Sequence, residues 1–308
     1  MIDIQNLRVD FDRVTALDSV QMRAGTGEVL GLVGPNGAGK TTLFKAILGL
    51  IEPSAGSVLV GGIDVALHPD DARRVIGFMP DFSPLYEQLT VNEFMELFAK
   101  SYCIPSAQRA PAINEKLELV GLTEKRQAFL KGLSRGMRQR LMLAKTLLPE
   151  PAVLLLDEPA SGLDPQGRIL LKDIILGLKS TKRTIVISSH ILSEMSEFCT
   201  GIAVLEKGRV VVQGRIDEVA AAMLGQARIE LRYLNMSDAA RDVLCNAEGC
   251  KVLADLDKNM SIELAGGDEG AARLLSTLIA AGAVISSFSR TTAGIEDIYR
   301  KIAPKELS

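Results

Sequence analysis

Three short stretches of this chain hold residues whose types and spacing can do chemistry. The first is Gly34-Pro35-Asn36-Gly37-Ala38-Gly39-Lys40-Thr41-Thr42. Glycines at 34, 37 and 39 let the backbone curl so that successive N–H groups face one anion. Lys40 is a cation able to reach terminal phosphates, and the Thr41 hydroxyl can ligate Mg²⁺. The second stretch is Asp157-Glu158-Pro159, behind the apolar run 152–156. Asp157 can hold a divalent cation through water, and Glu158, which points differently, can polarise a water. By themselves, two acids at a strand end also read as a solvated turn. The third is Leu133-Ser134-Arg135-Gly136-Met137, at the start of a helix with Ser134 as its N-cap. Its free N–H groups can meet an anion, while an ordinary capped helix with a basic face is the competing reading.

Single residues add to these. Phe11 lies in a polar turn with Asp10, Asp12 and Arg13. It is either a ring that stacks on a nucleotide base or a core residue at a strand end. His190 closes the apolar pattern that begins at Thr184, whereas His68 sits in a polar turn. Asp81 follows the strand pattern 75–79 and Pro80, so it is either a metal ligand beside Thr41 and Asp157 or the first residue of a surface loop.

The elements that must position these residues follow from hydrophobic periodicity. The run 29–33 reads as a buried strand and 43–48 as a helix, so the glycine loop lies between strand and helix, where a phosphate-binding loop belongs. Strands are expected at 2–9, 18–24, 57–60 and 75–79, with a short helix at 70–74. From 81 to about 148 the pattern turns helical, with helices at 91–101, 109–120 and 133–148 and a capping-box-like start at Thr90. The run 153–156 reads as a central parallel strand, which puts Asp157 at the carboxyl edge of the sheet, where ligands bind in open α/β sheets. A helix through about residue 179, a strand at 184–189 and strands at 201–205 and 210–213 complete this region near residue 220. Beyond it, residues 228–288 read strand, helix, strand, strand, helix, strand, a ferredoxin-like βαββαβ order, and a last helix is expected at 294–302.

Composition narrows the partners. With 308 residues, one large domain or two are expected. Lys and Arg total 35 against 38 Asp and Glu, a formal charge of −3, which argues against broad nucleic-acid binding by the whole chain. No apolar run reaches the ~20 residues needed to span a bilayer, and no signal segment is expected at the N-terminus. Cysteines 103, 199, 245 and 250 lack metal-site spacing and read as free thiols in a reducing compartment.

In order and spacing, residues 34–42, 133–137, 153–159, 161–164 and His190 resemble the ATP-hydrolysing subunits of ABC transporters, over about residues 2–220. The resemblance implies a phosphate-loop NTPase core (1–220) with an N-terminal antiparallel β-subdomain and a helical insertion (about 81–148), while residues 228–308 lie outside it as an accessory domain. It implies that ATP and Mg²⁺ bind, that Glu158 is the catalytic base, and that Asp157 supports Mg²⁺ while His190 contacts the γ-phosphate. Phe11 matches the adenine-stacking aromatic. Residues 133–137 match the signature that completes the opposite subunit's site in an ATP-sandwich dimer, homomeric or heteromeric, and Asp164 matches the loop crossing that interface. Two segments depart from the family pattern. Arg135 and Met137 replace the signature's first glycine and its glutamine, and Asp81 stands where a glutamine usually contacts the metal. The C-terminal ending is similar to extensions of exporter subunits. The resulting expectation is a cytoplasmic ATPase, peripheral on the inner face of the membrane, powering a separate integral permease. The alternatives are a soluble ABC ATPase of translation or DNA repair, which would usually carry two ATPase domains or a long coiled coil, and a regulatory subunit of slow turnover.

Overall fold

The structure, a computed structural model, describes residues 1–12, 14–81, 86–189, 195, 198–216, 219, 227–247, 249–264 and 267–291. They divide into two compact units, Met1–Arg215 and Ile216–Ser308.

The first unit is built on two sheets. β1 (Ile2–Phe11), β2 (Val14–Ala24), β4 (Ala55–Val60) and β5 (Ile63–Asp64) form an antiparallel sheet in the order β2-β1-β4-β5. Its inward residues, among them Ile2, Ile4, Leu7, Leu17 and Val20, are buried, and polar residues alternate outward. The second sheet has the order β10-β9-β3-β8-β7-β6, from β3 (Val29–Val33), β6 (Ile76–Met79), β7 (Val153–Asp157), β8 (Thr184–Ser189), β9 (Gly201–Glu206) and β10 (Arg209–Arg215). Its strands run parallel except β10, which returns antiparallel to β9. Strands β3, β7 and β8 are buried at every residue. Continuous burial explains why they read as unbroken apolar runs, each fully buried Leu or Val contributing ~1.5–3 kcal/mol.

Helices follow from their caps and faces. α1 (Lys40–Ile47) buries Leu43, Phe44 and Ile47 against the core, and α2 (Pro69–Val75) starts at a proline. α3 (Val91–Ser101) opens with a complete capping box between Thr90 and Glu93. α4 (Ser106–Leu119) and α5 (Arg135–Leu147) complete the helical segment, and α6 (Pro165–Ser180) is capped by Asp164.

The second unit is β11 (Ala227–Asn235), α7 (Asp238–Asn246), β12 (Cys250–Leu256), β13 (Asn259–Leu264), α8 (Gly267–Ala280) and β14 (Val284–Thr291). Its antiparallel sheet has the order β12-β13-β11-β14, the ferredoxin-like arrangement, around a core of its own that includes Ile229, Leu231, Ile262 and Leu278. The helix expected at 294–302 lies outside the described residues.

Candidate functional site

The site forms where β3, β6 and β7 end. The glycine loop leaves β3 and enters α1 through Gly39, at φ 108°, with no side chain capping the helix. A β-carbon on Gly39 would lie 2.9 Å from the Ala16 carbonyl oxygen, so the position demands glycine on both counts. α3, α5 and α6 have their first N–H groups bonded by Thr90, Ser134 and Asp164. α1, like α2 and α4, has no such bond, but only α1 starts at the glycine loop, where its N–H groups and dipole can meet an anion.

Lys40 is buried and its ammonium donates to the carbonyl oxygens of Gly34 at 2.6 Å and Pro35 at 3.2 Å. Burial pushes it below the ordinary lysine value, and the carboxylates of Glu158 and Asp157 partly oppose that. Asp157, 5% exposed at the last position of β7, accepts from Thr41 Oγ1 at 3.2 Å and from Ser188 Oγ. These bonds offset the desolvation of a carboxylate held between strands. Glu158 follows with φ 49°, a left-handed conformation unusual for a residue other than glycine. Its N–H donates to Ser188 Oγ at 3.0 Å and its carbonyl accepts from Gln139 Nε2 at 3.3 Å. The left-handed turn separates the directions of the two neighbouring carboxylates, and backbone strain of this kind clusters at functional sites.

A cavity of about 440 Å³ lies over these groups, with Lys40, Thr41, Asp81, Asp157 and Glu158 in its wall. The sequence-predicted residues Pro35, Asn36, Gly37, Gly39 and Thr42 also line it. Phe11 is not in the wall. It ends β1, 46% exposed and paired with Val14, which is in the wall. His190 lies outside the described residues. The segment 134–137 is not part of this cavity. Ser134 Oγ accepts from the Met137 N–H at 3.2 Å, as an N-cap should, and Gly136 faces Leu163 of the loop that ends at Asp164. Asp164 accepts from the Gly167 N–H at 2.9 Å as the cap of α6.

Sequence reasoning missed several participants. Ser188 and Gln139 hold Asp157 and Glu158, and Ala16, Lys207 and Gly208 complete the wall. Lys207-Gly208 is the β9–β10 turn, and Gly208 bonds both Ala38 of the glycine loop and Asp18 of β2. The detectable signal was a lysine–glycine turn after the strand beside β3.

The donors fit a hard divalent cation that arrives with its nucleotide. Thr41, Asp81 and Asp157 offer only oxygen, and among the described residues no cluster of three His, Cys, Asp or Glu forms a cage. Oxygen donors are the ligand type Mg²⁺ takes, alongside waters and phosphate oxygens. Among the described residues no helix is long and apolar enough to cross a membrane.

Comparison with known proteins gives a consistent result. Residues 17–161 match the ABC transporter family. An uncharacterized ABC transporter ATP-binding protein of Nostoc sp. is 42% identical over 209 residues, 67% of this chain, and the match spans 62% of that relative's length. The Nod factor export ATP-binding protein I of Cupriavidus metallidurans is 30% identical over 307 residues, covering 100% of this chain and 98% of its own. A solved dimeric ATP-binding cassette, in a post-hydrolysis state bound to ADP and Pi, superposes with a TM-score of 0.64 at 26% identity, over 70% of this chain and 99% of that one.

Proposed function

Because this chain belongs to the ATP-binding proteins of ABC transporters, we propose that it is the ATP-hydrolysing subunit of an exporter and drives a separate integral permease from the inner face of the membrane. The observation that carries the reading is one cavity holding an uncapped helix N-terminus, Lys40 and two carboxylates of different direction. The export assignment rests on the relative matched over the whole chain, whose name is that of a Nod factor exporter subunit. The near-balanced charge gives no reason to add nucleic acid as a partner.

The glycine loop and the first N–H groups of α1 bind the β- and γ-phosphates of ATP. Lys40 exchanges the Gly34 and Pro35 carbonyls for phosphate oxygens. Mg²⁺ bound with the nucleotide neutralises phosphate charge, and Thr41, Asp157 and Asp81 are the residues that would hold it. Glu158 accepts a proton from the water that attacks the γ-phosphorus, the bond from that phosphorus to the bridging oxygen breaks, and ADP and phosphate leave. His190 assists at the γ-phosphate, and Phe11 stacks on the base. Ser134, Arg135, Gly136 and Met137, with Asp164, belong to the site of a second ATPase chain in an ATP-sandwich dimer. The helical segment 81–148 faces the permease and transmits dimer closure to it.

Glu158→Gln tests this reading. The variant should bind MgATP, hydrolyse it ~10²–10⁴-fold more slowly, and run as a dimer with MgATP in size-exclusion chromatography. A variant saturated with nucleotide that stays monomeric at high concentration, alone and with the permease, counts against the sandwich.

A further inference from the structure

Arg135 is the first residue of α5 and stands where the family signature has a glycine. Its guanidinium donates to Ser161 Oγ at 2.9 Å. The same side chain lies across Gly162, where a β-carbon would fall 2.3 Å from Arg135 Nε and 2.5 Å from Cδ, and where φ is +74°. Any side chain at 162 would expel the arginine from this position. One turn further along α5, Gln139 donates to the Glu158 carbonyl at 3.3 Å. Positions 135 and 139 are i and i+4, so both side chains leave the same face of the helix. The segment they grip closes on itself, since the Ser161 N–H donates to the Glu158 carbonyl at 3.0 Å and the Leu163 N–H to the Ala160 carbonyl at 3.2 Å. α5 therefore clasps the loop 158–163 at two points, and a glycine at 135 would leave only one.

We propose that Arg135 is a positioning residue that ties the signature turn to the 161–164 loop of its own chain, so that both segments meet a second chain's nucleotide as one rigid piece. The clasp itself is a feature of the single chain. Its consequence for the dimer rests on the sandwich reading above. A guanidinium spans this gap because its stem packs flat on Gly162 while its planar fork reaches Ser161, and a lysine ammonium has no such fork. The competing role is a free cation that swings to the partner's phosphate, in which case the Ser161 contact is incidental.

The two roles separate in a double-mutant cycle with Arg135→Ala, Ser161→Ala and the pair together. Hydrogen exchange of the nucleotide-free full-length chain reports on the clasp without any dimer. Each single variant should lower protection at the Ser161 and Leu163 amides about 3- to 10-fold, the range one solvent-exposed hydrogen bond supports. The pair should lower it no further, because both changes remove the same bond. The thermal midpoint serves as a folding control and should hold. Unchanged protection, or effects that add, overturns the proposal.

The second arm adds each change to Glu158→Gln and measures MgATP-dependent dimerisation. Arg135→Ala and the pair should weaken it equally, and Arg135→Lys should not restore it. Restoration by lysine without restored protection would assign the charge to the partner's phosphate and end the clasp. If the Glu158→Gln parent never dimerises while the exchange cycle comes out as expected, the sandwich reading falls and the clasp stands.

Discussion

At the scale of single residues, the site turns on where carboxylates point. Asp157 is committed to Thr41 and Ser188, Glu158 follows it with a left-handed backbone, and both share the cavity wall with Asp81, just beyond the end of β6. If Asp81 takes the metal-contacting role, Asp81→Ala should raise the Mg²⁺ concentration needed for half-maximal ATPase activity several-fold and leave metal-free ATP affinity nearly unchanged. A Mg²⁺ titration of both proteins checks this, and superimposable curves would make Asp81 a loop residue. That Lys40, Thr41, Asp157 and Glu158 come together in one cavity was legible in the sequence because their spacing relative to β3 and β7 is local. Ser188 and Gln139 were not, because each is 19 or more positions from the acid it holds. Only the parallel pairing of β7 with β8 and the packing of α5 bring them there. Nor does any residue type announce the positive φ of Glu158, since glutamate is a poor choice for that conformation.

At the scale of elements, an ionic cluster links the helical segment to the chain just before β7 and β8. Lys116 of α4, 4% exposed, pairs with Glu150, which also pairs with Arg183 just before β8. Burial pushes Glu150 up, but the hydrogen bond and charge of Lys116, with Arg183, outweigh it and hold the carboxyl below its ordinary 4.5. A depressed carboxyl contributes stability above its unfolded value and loses it as pH falls through its folded one. Glu150→Gln should therefore destabilise by about 1 kcal/mol near neutrality, a value discounted for the half-exposed glutamate. The gap should begin to close as pH falls past the ordinary carboxyl value and vanish only in more acidic denaturant melts, once the depressed carboxyl of the folded state is itself protonated. A gap that persists in acid would assign the effect to packing. The buried strands and α3 follow the sequence pattern closely, because burial and capping boxes leave local marks. The turn assigned to Phe11 is instead the end of β1, which pairs through to Val14. Its polar neighbours suggested a loop, but Asp10 and Asp12 are exposed beside a hairpin end, where polarity does not oppose a strand. α4 begins at Ser106 although Pro111 lies inside it, in the second turn, where proline removes one i→i−4 hydrogen bond and so argues against a helix from the sequence.

At the scale of the whole molecule, two units each hold their own hydrophobic core. Every residue in the cavity wall precedes position 209. Deleting residues 216–308 should thus leave ATP affinity within about twofold by equilibrium binding, with any loss falling on dimer stability or permease coupling. A folded truncation that no longer binds ATP would place part of the site in the second unit. α1 starts without a side-chain cap, at the end of the glycine loop. If that loop binds ATP as proposed, nucleotide caps the helix, and so acts as a structural component as well as a fuel. By mass action a ligand at 100 times its dissociation constant adds ~2.7 kcal/mol to the folded state. Heat resistance of this protein should rise and fall with nucleotide supply, so that an energy-starved cell holds a more easily unfolded pump motor than a well-fed one.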